Sequence, residues 1–337
     1  MNNPGGRLRI GDVARLAGVS PATVSRVLTG SQPVSEDTRQ RVLEVVSRFD
    51  YQPSRLAKNL RQGRAETVGV VVSDIENPHF ATMVRAIEDE LYRRGKRVLL
   101  CNTSEDAAKQ ASYLDVMAAE RVLGVLISPS DPDGAEISRL IDLGIPVVAF
   151  DRHVNDPRAD AVTADNVEAA RIACRLLIGA GHRRIGFVAG RADVQTGDDR
   201  MAGYRMEMAA NGLEERAAAG GFTVEGGCAA TETLLRQEPR ITALVVSNNQ
   251  MTLGAIQCLR DRGLAIPGDV AVVAFDDPAW ASLIDPPLTT LAQPLRQMAA
   301  AAVELLFERM SDGRLQPVRP VFQLELRVRR SCGTASH

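Results

Sequence analysis

The chain has 337 residues, 45% hydrophobic and 24% charged, with a net charge of -2, proportions that suit an ordinary globular protein of two or three domains and exclude a disordered or collagen-like one. The longest apolar runs, VGVVV, VLGVLI, IPVVAF and VAVVAF, are strand-sized and far short of the roughly 20 residues a membrane-crossing helix needs, and five scattered cysteines without C-x-x-C spacing argue against a disulfide framework or a zinc site. Residues 1–64 carry 11 Lys and Arg against 5 Asp and Glu, while the remainder carries 29 against 37, so a small basic module that suits a polyanionic partner precedes a larger acidic one.

The first residues, MNNPGGRLRIGDVARLAG, hold no apolar stretch after their basic residues, so no secretory signal is read and a cytoplasmic location is expected. Ile10, Val13, Ala14 and Ala17 then recur at helical spacing, and Gly18 supplies the left-handed residue that ends a helix. Val19 plugs the turn. Ser20 is an N-cap and Pro21 suits the first helical position of a second short helix, whose buried stripe is Val24, Val27 and Leu28 and which Gly30 closes. Two short helices joined by an A-G-V-S turn predict a helix-turn-helix, with the second helix expected in the major groove. Its remaining residues, Pro21, Ala22, Thr23, Ser25 and Arg26, are small or polar, and Arg26 can make a bidentate contact to guanine.

A third helix is predicted from Ser35, an N-cap with Thr38 three residues on, through Val42, Val45, Val46 and Phe49. YQPSRLAKNLRQGRAET reads as a basic hinge, too short to be a stable helix in water and expected to order on binding. From Thr67 short β-branched strands alternate with amphipathic helices: TVGVVVS, helix 78–94, RVLLCN, helix 107–119, LGVLIS, helix 135–142 and PVVAF. The rhythm restarts with AVTAD, helix 166–179, RIGFVAG, helix 199–211, GFTVE, helix 231–237, ALVVS, helix 250–262 and VAVVAF. Repeated βαβ units mean doubly wound parallel sheets, and two successive sets favour two lobes with a cleft between them.

Ligands of open α/β sheets sit beyond the carboxyl ends of the strands. Those ends are polar here: Ser73, Asp74 and Asn77, then Asp151 and Arg152, Arg191 and Asp193, Asn248 and Asn249, Asp276 and Asp277. Carboxylates, amides and arginines converging on one crevice suit a polyhydroxylated ligand. Helix capping accounts for some of them equally well. Trp280, the single tryptophan, is read either as a stacking platform near the crevice or as core.

IGDVARLAGVSPATVSRVLTGSQPVSEDTRQRVLEVVSRFDYQPSRLAKNLRQG resembles the headpiece and hinge of the lactose-repressor/galactose-repressor family. The body resembles the same family and the periplasmic sugar-binding proteins through NPHF, FDRHV, GAGHRRIGFVAG, RMAGY, SNNQMTLGA, IPGDVAVVAFDD and PPLTTLAQP. The resemblance implies a small all-α helix-turn-helix headpiece (8–53), a hinge (54–65) and an α/β periplasmic-binding-protein-like body of two doubly wound parallel-sheet lobes (66–331). The first lobe would take about 66–163 and 293–320, the second about 164–292 and 321–331. By the same resemblance Pro21, Ala22 and Arg26 face bases, and Thr23, Ser25, Asn59 and Arg61 contact the backbone or minor groove. Ala57 packs on its twofold mate, and Leu60 wedges open a base step and kinks the duplex.

In the body the family's main effector contacts fall on Asp151, Arg200, Asn248 and Asp276, with Ser73, Asn77, Phe80 and Leu295 as lining; Asn249 stands where the family more often has Asp. Arg200 can pair with a carboxylate or with hydroxyls, so sugars and sugar acids both remain open. The implied protein is a sequence-specific transcriptional regulator, a repressor, that binds a near-palindromic double-stranded operator as a homodimer under the control of a sugar, sugar acid or related metabolite. The ending RRSCGTASH carries no leucine heptad for a tetramer. The alternatives are a sugar-binding protein and a sugar-modifying enzyme on the same scaffold. Nucleotide-loop, serine-hydrolase and zinc-protease signatures are absent from the sequence, and His79, His153, His182 and His337 lack ligand spacing. Neither an enzyme nor a metal or cofactor is expected, and no membrane partner.

Overall fold

The computed structural model describes residues 8, 10–29, 33–49, 51, 66–237, 240–312 and 316–333, and the chain divides into two compact units, 1–65 and 66–337.

In the first unit α1 (Ile10–Ala17), α2 (Pro21–Thr29) and α3 (Glu36–Arg48) enclose Val13, Ala14, Ala17, Val24, Val42 and Tyr51. The turn between α1 and α2 follows from its residues. Gly18 takes the left-handed φ of 65°, the Val19 N–H donates to the Ala14 carbonyl at 2.9 Å, and the Thr23 N–H donates to Ser20 Oγ at 3.1 Å, which caps α2. At α3 the expected cap differs. Ser35 Oγ bonds to Thr38 Oγ1 at 2.8 Å and leaves the helix backbone without a side-chain cap. Gly30 and the hinge residues Ala57, Asn59, Leu60 and Arg61 lie outside the described residues.

The second unit contains two six-stranded sheets. The first has the order β11-β5-β4-β3-β1-β2, with β1 Thr67–Val72, β2 Arg97–Asn102, β3 Val125–Ile127, β4 Val147–Phe150, β5 Asp160–Ala164 and β11 Val321–Phe322. The second has the order β12-β10-β9-β8-β6-β7, with β6 Ile185–Ala189, β7 Arg216–Ala219, β8 Ala243–Val246, β9 Ala271–Phe275, β10 Thr289–Ala292 and β12 Glu325–Arg327. All pairings are parallel except β10 with β12.

Both faces of these sheets are covered, which is why their strands read as continuous apolar runs. On β9, Ala271, Val273 and Phe275 join one core layer while Val272 and Ala274 join the other, the period of two expected of a pleated strand. The covering helices are α4 (Pro78–Arg93), α5 (Ala107–Ala119), α6 (Ala135–Asp142), α7 (Asn166–Gly179), α8 (Gln195–Ala210), α9 (Val224–Leu235), α10 (Asn249–Asp261) and α11 (Leu295–Asp312).

Two local expectations are corrected. GFTVE is not a strand: β7 ends at Ala219, Thr223 Oγ1 accepts the Gly226 N–H at 3.0 Å, and the helix runs from Val224 rather than over 231–237. Gly226 and Gly227 look like breakers, yet this helix must lie directly against α10. A Cβ at Gly227 would stand 2.3 Å from the Met251 carbonyl oxygen, and one at Gly254 would stand 1.9 Å from that of Val224. The second correction concerns the tail. Val321 and Phe322 pair with Thr163 and Ala164 of the first lobe, so the chain passes to the second lobe after Phe322, not at residue 321; only from Glu325 does it pair with β10.

Candidate functional site

A cavity of about 420 Å³ opens between the lobes at the carboxyl ends of the strands, with Asn77, Phe80, Asp151, Arg200, Asn248 and Asp276 in its wall. Backbone geometry sets the two carboxylates. Asp151 directly follows β4 with φ 65°, and Asp276 directly follows β9 with φ 68°, a conformation costly for non-glycine residues and concentrated at functional sites. Each is pinned by its N–H, Asp151 to Val162 and Asp276 to Leu291, both at 3.0 Å.

Two amides on the wall are helix caps. Asn77 Oδ1 accepts the His79 N–H at 2.9 Å at the start of α4, and Asn248 Oδ1 accepts the Met251 N–H at 2.8 Å at the start of α10. Both dipoles therefore direct positive ends towards the cavity. Arg200 reaches in from α8. Its Nε donates to Asn166 Oδ1 at 2.7 Å, its Nη1 donates to the Ser247 carbonyl, and the guanidinium lies 4.4 Å over the Phe275 ring. Burial lowers its affinity for the proton, partly offset by Asp276 and Asp151.

The structure also brings to the cavity Arg152, expected at the crevice from its place after β4, and Glu105, Phe222, Gln293 and His79, which were not expected there. Arg152 pairs with Glu105 through Nη1 at 2.8 Å and Nη2 at 2.6 Å. Phe222, with φ 68°, lays its ring against Gly190 so closely that a Cβ there would sit 2.2 Å from it. Gln293 Nε2 donates to Asp276 Oδ1 at 3.1 Å. His79 stands between the carboxylates, Nε2 3.4 Å from Asp151 Oδ1 and Nδ1 3.5 Å from Asp276 Oδ1, distances of ion pairs rather than of formed hydrogen bonds. Burial alone would lower the imidazole pKa; the pull of Asp151 and Asp276 outweighs it and raises the value to about 9. Burial conversely opposes ionisation of the carboxylates, and the imidazolium overcomes it, holding Asp151 below its ordinary range and Asp276 at about 2.

Three expected lining residues lie elsewhere. Ser73 is fully buried behind the end of β1, Leu295 packs on the inner core, and Trp280 packs on the outer core of the second lobe. Asn249, although not in the cavity wall, donates through Nδ2 to Asn77 Oδ1 at 2.9 Å, and the His153 N–H donates to Gln195 Oε1 at 3.0 Å. With His79–Asp276 these contacts bridge the lobes.

On α2 of the first unit, Pro21, Ala22 and Arg26 are exposed, while Thr23 and Ser25 are half-buried. Among the described residues no group of three or more His, Cys, Asp or Glu side chains could hold a metal ion, and no helix is long and apolar enough to cross a membrane.

Comparison with known proteins gives two family matches: bacterial regulatory proteins of the lacI family over residues 9–54, and the periplasmic binding protein-like domain over 174–332. An HTH-type transcriptional repressor PurR from Glaesserella parasuis serovar 5 (strain SH0165) is 33% identical over 96% of this chain and 97% of its own. A candidate ribose operon repressor from Burkholderia thailandensis is 34% identical, with TM-score 0.72 over 78% of this chain and 99% of its own. A LacI family transcriptional regulator from Enterococcus faecium with bound ribose is 26% identical, with TM-score 0.73 over 79% of this chain and 98% of its own.

Proposed function

The chain belongs to the lacI family of bacterial regulatory proteins, and on that premise we propose that it is a homodimeric repressor released from its operator, or held on it, by a neutral monosaccharide bound between the lobes. It is a DNA-binding regulator with an effector domain of the sugar-binding type, and what it matches are regulators, not enzymes. The observation that carries the choice of ligand is the pair of buried, ionised carboxylates from opposite lobes, Asp151 and Asp276, in one cavity with Arg200.

Two carboxylates can each accept from neighbouring hydroxyls, and Arg200 can donate to a third oxygen. Phe80 and Phe222 offer apolar faces to a sugar ring's C–H surface. His79 and Arg200 balance the two aspartates, and Arg152 is paired with Glu105. A ligand carboxylate would add a third negative charge beside Asp151 and Asp276, so neutral sugars are favoured over sugar acids. The ribose named for two neighbours makes a pentose the first ligand to test. D-Ribose is expected to raise the Tm of the full chain in a thermal-shift titration and D-gluconate to leave it unmoved. The reverse order would replace the neutral-sugar reading with a sugar-acid one.

For the DNA side, exposed Arg26 is the base reader, with Pro21 and Ala22 giving apolar contacts and Thr23 and Ser25 positioning contacts. Ala57, Asn59, Leu60 and Arg61 serve the paired hinges, Leu60 as the wedge. The dimer would form on the first lobe. Its edge strand β2 is unpaired on one side and exposes Leu100, while the flanking helices α4 and α5 expose Tyr92 and Val116, apolar surface of the sort interfaces cover.

A further inference from the structure

We propose that His79 is a proton-dependent tie between the lobes: as an imidazolium it joins Asp151 of the first lobe to Asp276 of the second, so that closing the cleft is coupled to holding a proton on this ring. The link from closure to effector affinity rests on the reading above; the tie itself rests on the placing of His79 between the two carboxylates. His79 is the second residue of α4, where the helix dipole disfavours a cation, so the two carboxylates must supply the attraction. They are well placed for it. Nε2 is buried with no hydrogen-bond partner of its own and faces Asp151, while Nδ1 faces Asp276. The ring is held edge-on to Phe80 at 4.9 Å between centroids.

The charged groups around it are few. Asp151 and Arg152 come from the end of β4, with Arg152 Nε 3.6 Å from Asp151 Oδ2, Asp276 from the end of β9, and Arg200 from α8, which acts on both carboxylates. Asp74 and Glu76, just before α4, line the same cavity. Gln293, following β10, carries no charge; its Nε2 donates to Asp276 Oδ1 at 3.1 Å and lies 3.5 Å from His79 Nδ1. Without the imidazolium between them, Asp151 and Asp276 would repel across the cleft with only Arg200 and Arg152 to offset their charge.

Asp151, which shares the lobe of His79, and Asp276, which comes from the other, together raise the imidazole pKa to about 9; the part that Asp276 adds belongs to closure, is full well below pH 9 and is lost as pH rises through about 9. If effector binds the closed form, its affinity falls across that window by up to about tenfold per pH unit. His79 is here a positioning residue, holding both carboxylates ionised and in place for the ligand.

The test has two arms. Imidazole NMR of the full chain without ligand, with the His79 signal assigned through His79→Gln, is expected to give a titration midpoint near 9 that falls in Asp276→Asn and falls further when Asp151→Asn is added. A midpoint at or below 6.5 in the unsubstituted chain, or one unmoved by Asp276→Asn, would overturn the tie. In the second arm, D-ribose affinity is measured at pH 7 and pH 9, with a loss of up to about tenfold per pH unit expected and a flat profile in His79→Gln. If D-ribose binds equally at both pH values, the tie is wrong and the effector reading survives. If D-ribose binds at neither while the NMR midpoint is near 9, the tie stands and the pentose reading fails.

Discussion

Asp151 and Asp276 occupy equivalent places in the two lobes. Each is the first residue past a buried strand, each has a left-handed backbone with φ of 65° and 68°, and each donates its N–H to the next strand at 3.0 Å. Both carboxylates turn towards His79. The shared strain points the same way: two copies of one βα architecture each hold an acceptor at the mouth of the sheet.

The stability of the body should therefore fall away on both sides of a plateau. Asp276 is depressed to about 2 from an unfolded value near 3.9, so its contribution is full above about pH 4 and is lost as pH falls towards 2. His79 acts in the opposite sense, its contribution fading as pH rises through about 9. Urea midpoints measured from pH 3 to pH 10 should show both limbs, and Asp276→Asn should reduce both, with Asp151 still paired to His79. Unchanged limbs in that variant would mean that other groups govern the profile.

Asn249→Asp is expected to weaken effector binding although the side chain is absent from the cavity wall. Asn77 Oδ1 is already committed as acceptor to the His79 N–H, so residue 249 must donate to it. A carboxylate there would set acceptor against acceptor in a buried place, a cost of about 1–3 kcal/mol. Sugar affinity and thermal stability, compared with those of Asn249→Ser, check this. Equal affinities in Asn249→Asp and the unsubstituted chain would remove the Asn77–Asn249 contact from the closure.

Gly254→Ala should destabilise the second lobe by at least about 2 kcal/mol, because a Cβ would meet backbone of α9, which cannot swing aside. A lowered urea midpoint at constant m value is the expected result, against a smaller, purely conformational loss for Gly144→Ala, whose site is spatially open but has a left-handed φ of 76°. Comparable losses at both sites would contradict the close helix contact.

Arg26→Ala should reduce discrimination between specific and random duplexes by about 1–3 kcal/mol if it reads a guanine. Leu60→Ala should reduce bending of the bound duplex while leaving sugar affinity intact. Equal loss on specific and random DNA, or unaltered bending, would remove the respective role.

Much of this was legible in the sequence because the relevant forces are local. Ser20, Pro21 and Gly18 punctuate the headpiece by capping and backbone preference, and the strand-end polar residues announce the cleft because parallel sheets bury everything between their ends. The rest depends on contacts between distant segments. His79 looked inert by spacing because its partners follow β4 and β9 and meet only when the lobes come together. Phe222 was hidden by reading GFTVE as a strand, and the start of α9 holds two glycines, Gly226 against the Gly220 carbonyl and Gly227 against Met251, whose close contacts no local pattern announces. Trp280 drew attention by its rarity, but it belongs to the outer core of the second lobe.

Fluorescence anisotropy of the full chain on its best duplex, selected from a randomised pool and titrated with D-ribose, tests the central claim most directly. The expected result is a sugar-dependent change in DNA affinity in the unsubstituted chain that disappears in Asp276→Asn, with duplex binding in the absence of sugar retained. An equal sugar response in both proteins, or no preference for any duplex, would contradict a repressor governed from the Asp151–Asp276 cleft.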